Sequence, residues 1–169
     1  MVWYVVLIVA VALERLAELI FSRRNRAWSR ARGGVEFGAG HYPVMVTLHT
    51  GLLAACLIEV IVLHPPFIPV LGWAMLAIVL AAQGLRWWCI ATLGQQWNTR
   101  VVVVPGAARV AAGPYRFLSH PNYVAVVAEG AALPLVHSAW ITAMVFSVLN
   151  AALLRTRLKV ENAALASLS

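Results

Sequence analysis

Five apolar stretches alternate with polar ones along this chain, at about 2–21, 43–63, 67–88, 121–136 and 139–154. Each approaches the roughly 20 residues that carry a helix across a hydrocarbon core about 30 Å thick, and the fourth is short enough to begin inside the interface. His64-Pro65-Pro66 ends the second stretch, because two prolines cannot continue a helix, and the segment from Pro134 to Ser138 parts the fourth from the fifth. A more polar stretch runs from Ala91 to Ser119, with no internal repeat and no low-complexity tail. The pattern predicts an all-α integral membrane protein: a bundle of about five transmembrane helices with a cytoplasmic loop and a C-terminal helix, in one domain over residues 1–169.

Composition strengthens that reading. Hydrophobic residues make up 62% of the chain and charged ones 11%, with a mean hydropathy of +0.83, against about 25% charged in a soluble domain. The first stretch has no basic leader and carries Glu14, Arg15 and Glu18, so it is expected to remain as a span and not to be cleaved as a signal.

Charge then sets an orientation. Arg23, Arg24, Arg26, Arg30 and Arg32 follow the first stretch, Arg100, Arg109 and Arg116 the third, and Arg155, Arg157 and Lys159 the fifth, while the turns at 64–66 and 134–138 have none. By the positive-inside rule the N-terminus is expected outside and the C-terminus in the cytoplasm, across a bacterial inner membrane. The net charge of +7 is therefore first a topology signal and then an attraction to anionic membrane lipid. Nucleic-acid binding is not expected, because these charges flank spans and form no separate basic module.

Among reactive side chains, Cys56 and Cys89 lie toward opposite membrane faces and read as packed thiols, and no Cys/His spacing forms a metal site. His49 is expected to bond a neighbouring helix, and His64 and His137 to lie near the outer surface. His41, beside Tyr42, is placed to line a site. Carboxylates inside spans are costly and so face a partner or a polar cavity. Glu129 is the clearest case, on one stripe with Asn122, while Glu14 and Glu18 flank Arg15 as an internal counter-ion. Asn150, Arg157 and Glu161, seven and four residues apart, fall within about 40° of one another on a helix. That face suits a zwitterionic ligand, although spacing alone favours an exposed helix end meeting lipid phosphates.

Residues 113–123 gather the remaining polar and aromatic groups where a loop meets an apolar stretch. Leu93-Gly94 with Trp97, then Gly113-Pro114-Tyr115-Arg116, His120-Pro121-Asn122-Tyr123, and Arg157 with Glu161 together resemble the isoprenylcysteine carboxyl methyltransferase family of integral membrane enzymes. Glu14-Arg15, Glu18, Ser22-Arg23-Arg24-Asn25 and Gly33-Gly34-Val35-Glu36 look like its small bacterial branch. That branch includes members associated with type III polyketide synthases, which methylate alkylpyrones and related lipidic phenols. Two positions depart from the pattern: Ser119 stands where the family usually has Arg, and Asn162 where a second acidic residue often follows the first.

The resemblance implies S-adenosylmethionine as cofactor, bound by His120, Tyr123, Arg157 and Glu161 with Gly113, Tyr115 and Pro121 at the loop. It implies methyl transfer to a carboxylate, enol or phenol oxygen of a lipophilic acceptor that is prenylcysteine-like or alkylpyrone-like, with a polyketide synthase as pathway neighbour. Glu129, or His41, is then the candidate base for a phenolic acceptor, and Arg116, or Arg100, the candidate to orient an anionic head. Gly38-Ala39-Gly40 leads into His41-Tyr42-Pro43, so no dinucleotide fingerprint is present. The rival expectations are a membrane sterol or enone reductase using NADPH, with a similar His-Pro-Asn-Tyr junction, and a helical membrane protein without enzymatic activity.

Overall fold

The computed structural model describes residues 2–168, with side chains through Ala166; Met1 and Ser169 of the predicted domain lie outside the described residues. Among the described residues five α-helices form: α1 (Val2–Arg30), α2 (Tyr42–Leu63), α3 (Pro69–Leu93), α4 (Pro121–Leu135) and α5 (Trp140–Leu168). Between them lie two three-residue strands, β1 (Val35–Phe37) and β2 (Val101–Val103), paired antiparallel with Glu36 opposite Val102. Apolar runs announced the helices. The strands are too short for a period-two pattern to show in the sequence.

Among the described residues, three helical segments are long and apolar enough to cross a membrane: Ala39–Leu63, Pro69–Gln96 and Trp140–Ala166. The first and fourth predicted spans differ from them. At 15 residues α4 is about 22 Å long, and α1 carries Glu14, Arg15 and Glu18 inside its apolar stretch. The way α1 accommodates them is visible in its spacing. Tyr4, Ile8, Val11, Glu18, Ser22 and Ser29 are buried in steps of three, four or seven, whereas Val2, Val6, Val9, Leu13, Leu16 and Ile20 are exposed on the other side. The helix therefore turns its polar stripe inward and an apolar one outward, as suits a lipid-facing element.

The core lies toward the end of the bundle that carries the α2–α3 and α4–α5 turns. Tyr4, Ile8, Leu52, Val60, Val79, Leu133 and Phe146 pack there, and the Tyr4 hydroxyl donates to the Leu133 carbonyl at 3.1 Å. His137, in the turn between α4 and α5, is buried beside this cluster against Tyr4, Phe67 and Trp3 with ring centroids 5.3–6.0 Å apart. Gly130 lets α4 approach α5, since a Cβ there would enter the Phe146 ring. At the same end the Glu59 carboxylate accepts from the Ile141 and Thr142 amides at 3.0 and 2.7 Å, capping the exposed donors of the α5 N-terminus.

Candidate functional site

The inward polar stripe of α1 builds the opposite end of the molecule. Asn25 Nδ2 donates to the carbonyls of Gly94 and Trp97 at 3.0 and 2.7 Å, and Ser22 Oγ accepts from the Thr99 amide at 3.1 Å. These bonds pin the loop that follows α3 and fix Trp97, Asn98 and Thr99 in place. Below them, Ser29 closes the turn into β1 by accepting the Gly34 amide on its carbonyl at 2.8 Å. Arg100 Nη1 donates to Glu36 while its guanidinium lies 3.9 Å from the Tyr42 ring centroid, so the ribbon is tied to the start of α2. The sequence reading offered Arg100 as a partner for an anionic head; here it is engaged with Glu36.

Two cavities meet behind that loop. The first is a polar cleft between the ribbon, the start of α4 and the end of α5, lined by Tyr115, His120, Tyr123, Arg157 and Glu161 among others. Tyr123 hydroxyl donates to the Glu161 carboxylate, whose other oxygen lies 3.3 Å from His120 Nδ1. His120 Nε2 is 3.2 Å from Asn162 Oδ1, and the His120 and Tyr123 rings stack at 5.6 Å. Arg157 lies 5.7 Å from the Tyr123 ring centroid, donates to the Thr99 carbonyl at 2.9 Å and touches Met45 Sδ. Burial holds the Tyr115 phenol well above its ordinary range, so it stays a neutral wall of this cleft. Outward, the cleft joins a recess of about 530 Å³ that Ser119, Arg109 and Asn162 border, room for a group far larger than ordered water.

The second cavity, between α2, α4 and α5, is mostly apolar, with Leu53, Val126, Leu153 and Leu154 among its walls and Arg15, Glu18 and Arg86 at its inner end. Trp97, Asn98, Asn122, Tyr123 and Arg157 line both cavities. A polar cleft and an apolar pocket thus share one partition.

Of the residues singled out from sequence, His120, Tyr123, Arg157, Glu161 and Tyr115 converge on the cleft, as the helical spacing of Arg157 and Glu161 had suggested. Pro121 opens α4 and is buried behind it. Gly113, at φ 54°, serves packing: a Cβ there would strike Thr92 and come within 3.0 Å of Trp88 Nε1 on α3. Arg116 is exposed, near the Phe117 ring, and lines neither cavity. His41 does not line them either, whereas its neighbour Tyr42 faces the apolar pocket. His49, expected to bond another helix, instead bonds the Met45 carbonyl of its own at 2.9 Å and lines the apolar pocket.

Glu129 sits deeper, in an ion-pair network. Its oxygens lie 3.0 and 2.9 Å from Arg15 Nη2 and 2.6 Å from Arg86 Nη2, and Gln83 Nε2 adds a bond at 3.3 Å. Arg15 also reaches Glu18 at 2.7 Å, and Arg86 Nε stands 3.5 Å from the same carboxylate. Such an assembly makes buried charge tolerable, because every carboxylate has a guanidinium. Sequence spacing offers Arg15 as counter-ion of Glu14 and Glu18 only; the structure adds Glu129, Arg86 and Gln83 to the same network. Arg86, a single cation inside an apolar run, was the signal to follow.

Comparison with known proteins shows the family. Residues 75–167, from α3 to the end of α5, match the isoprenylcysteine carboxyl methyltransferase (ICMT) family. The chain is also similar to an uncharacterized protein, YpbQ, of Bacillus subtilis (strain 168), with 36% identity over 98% of this chain and 96% of that one. No solved structure matches it.

Proposed function

The chain belongs to the isoprenylcysteine carboxyl methyltransferase family of membrane methyltransferases, and from that premise we propose that it transfers a methyl group from S-adenosylmethionine to an oxygen of a lipophilic acceptor. The observation that carries this reading is the partition of Trp97, Asn98, Asn122, Tyr123 and Arg157 between a polar cleft and an apolar pocket. A charged cofactor and a greasy acceptor need separate environments that touch at one point.

The residues in the cleft fit the cofactor's chemistry. Glu161 is the carboxylate for its amino group and Arg157 the cation for its carboxylate, while the stacked faces of His120 and Tyr123 suit a sulfonium. Arg157 Nε, Asn98 Oδ1 and Asn122 Oδ1 are buried without a hydrogen-bond partner among the described residues, which leaves polar atoms for a ligand to satisfy. When bound, S-adenosylmethionine supplies a methyl carbon on a positively charged sulfur. The acceptor oxygen attacks in line, and its new bond to carbon forms as the carbon–sulfur bond breaks with both electrons going to sulfur.

The protein's work is alignment and exclusion of water, since a carboxylate or acidic enol is already ionised near neutral pH. In this reading Glu129 acts by holding Arg15 and Arg86 at the inner end of the acceptor pocket, and Arg116 stands as an exposed cation at the loop. The acceptor enters sideways from lipid, with the cleft on the cytoplasmic face and the N-terminus outside.

Labelled methyl transfer from S-adenosylmethionine by the full chain in lipid nanodiscs, across lipidic acids, enols and phenols including polyketide products, tests the proposal. Incorporation into at least one class is expected. Tight binding of NADPH with none of S-adenosylmethionine would overturn it in favour of a reductase.

A further inference from the structure

Six buried side-chain polar atoms lack a hydrogen-bond partner among the described residues, and five of them line the apolar pocket: Arg86 Nε, Asn98 Oδ1, Asn122 Oδ1, Asn150 Oδ1 and Arg157 Nε. Buried polar groups are normally paired, so their concentration in one cavity points to ligand atoms that complete them. Asn98, Asn122 and Arg157 stand in the partition, where the cofactor and the reacting oxygen account for them. Arg86 and Asn150 line only the acceptor side, and both are at least nine-tenths buried, at 5% and 3% exposure.

These two lie deeper than the partition. Asn150 is seven residues, about 10 Å of helix, before Arg157 on α5. His49 is one turn, about 6 Å, beyond Met45, whose sulfur touches Arg157. Its Nδ1 donates to the Met45 carbonyl at 2.9 Å, which leaves the lone pair on Nε2. The inner end of the pocket thus presents the acceptors Asn150 Oδ1 and His49 Nε2 beside Arg86, whose Nε makes no hydrogen bond and stands 3.5 Å from a Glu18 oxygen.

Charge selects what would bind there. Arg15 and Arg86 are matched by Glu14, Glu18 and Glu129, two cations against three carboxylates, so no excess positive charge is left for a second anion. An aliphatic tail end would leave the Asn150 and His49 acceptors unsatisfied, at a cost that a hydroxyl or amide avoids.

We propose that Arg86, His49 and Asn150 form a second polar subsite that binds a neutral hydrogen-bonding group of the acceptor, a hydroxyl or an amide, some 6–10 Å from the oxygen that is methylated. This rests on reading the cavity as the acceptor's. The apolar tail then leaves sideways between helices, and the acceptor carries polar functions at two places, unlike a plain fatty acid.

The test is equilibrium binding to the full chain in nanodiscs loaded with S-adenosylhomocysteine, comparing hexadecanoic acid with its 6-hydroxy and 9-hydroxy derivatives. At least one hydroxy acid should bind about tenfold more tightly than the parent, and Asn150→Leu should reduce that ratio below about threefold. Hydroxy acids that bind no better than hexadecanoic acid, or a ratio unmoved by Asn150→Leu, would overturn the subsite. Failure of S-adenosylmethionine binding or of methyl transfer would instead overturn the proposed function, so the two failures are read separately.

Discussion

The Tyr123 hydroxyl donates to the Glu161 carboxylate, joining the first turn of α4 to the end of α5 across 38 residues of sequence. Because Arg157 lies one turn before Glu161 and beside the same ring, the bond makes one wall of two helices. In the proposed cofactor site Tyr123 both orients the carboxylate and shares its charge.

Glu161→Gln removes the only carboxylate of this wall among the described residues. Loss of a charge-assisted contact of roughly 1.5–3 kcal/mol should weaken S-adenosylmethionine about 10- to 100-fold. Tyr123→Phe, which keeps the ring and the charge, should weaken it by less than about tenfold. Calorimetry on the purified chain reads both.

Ser119→Arg tests the departure from the family pattern. Ser119 is exposed beside the recess and next to His120, so a restored cation acts in a partly solvated place. An interaction of up to about 1 kcal/mol there should tighten S-adenosylmethionine two- to fivefold with no change in melting temperature.

Glu129→Gln leaves Arg15 and Arg86 facing a neutral amide deep in the bundle. Breaking a buried pair costs roughly 3–5 kcal/mol. Thermal unfolding in detergent should show a marked fall in stability, whereas cofactor affinity of the folded fraction should stay within about twofold.

Gly130→Val places two methyl groups against the Phe146 ring, far from the cleft. Overpacking of this kind costs about 1–3 kcal/mol. The same assay should register it with S-adenosylmethionine affinity per folded molecule unchanged.

Glu59→Gln weakens the carboxylate cap on the Ile141 and Thr142 amides. A loss near 1 kcal/mol is expected, visible first as faster hydrogen exchange in the opening turn of α5.

The helices were legible because crossing a membrane demands long apolar runs, and the Arg157–Glu161 face because helical spacing is fixed. What stayed hidden depended on partners distant in sequence. The Ser22 and Asn25 side chains carried no chemistry of their own until the loop at Gly94–Thr99 was seen resting on them. The pairing of Glu36 with Arg100 needed the ribbon, and three-residue strands leave no periodic trace. Arg86 was overlooked because its meaning came from Glu18 and Glu129, on two other helices. Gly113 suggested a ligand loop, yet its neighbours are Thr92 and Trp88.

The inward polar stripe of α1 has a consequence for biogenesis. A helix with Glu14, Arg15 and Glu18 near its middle is a poor candidate to enter lipid alone, since the translocon charges about 2.5–3.5 kcal/mol for a central Asp, Lys or Arg. Its remaining counter-charges, Arg86 and Glu129, are made only when α3 and α4 emerge from the ribosome. In the five-span arrangement expected from the sequence, stable integration of the first helix would wait on the fourth, whose Glu129 completes its counter-charges.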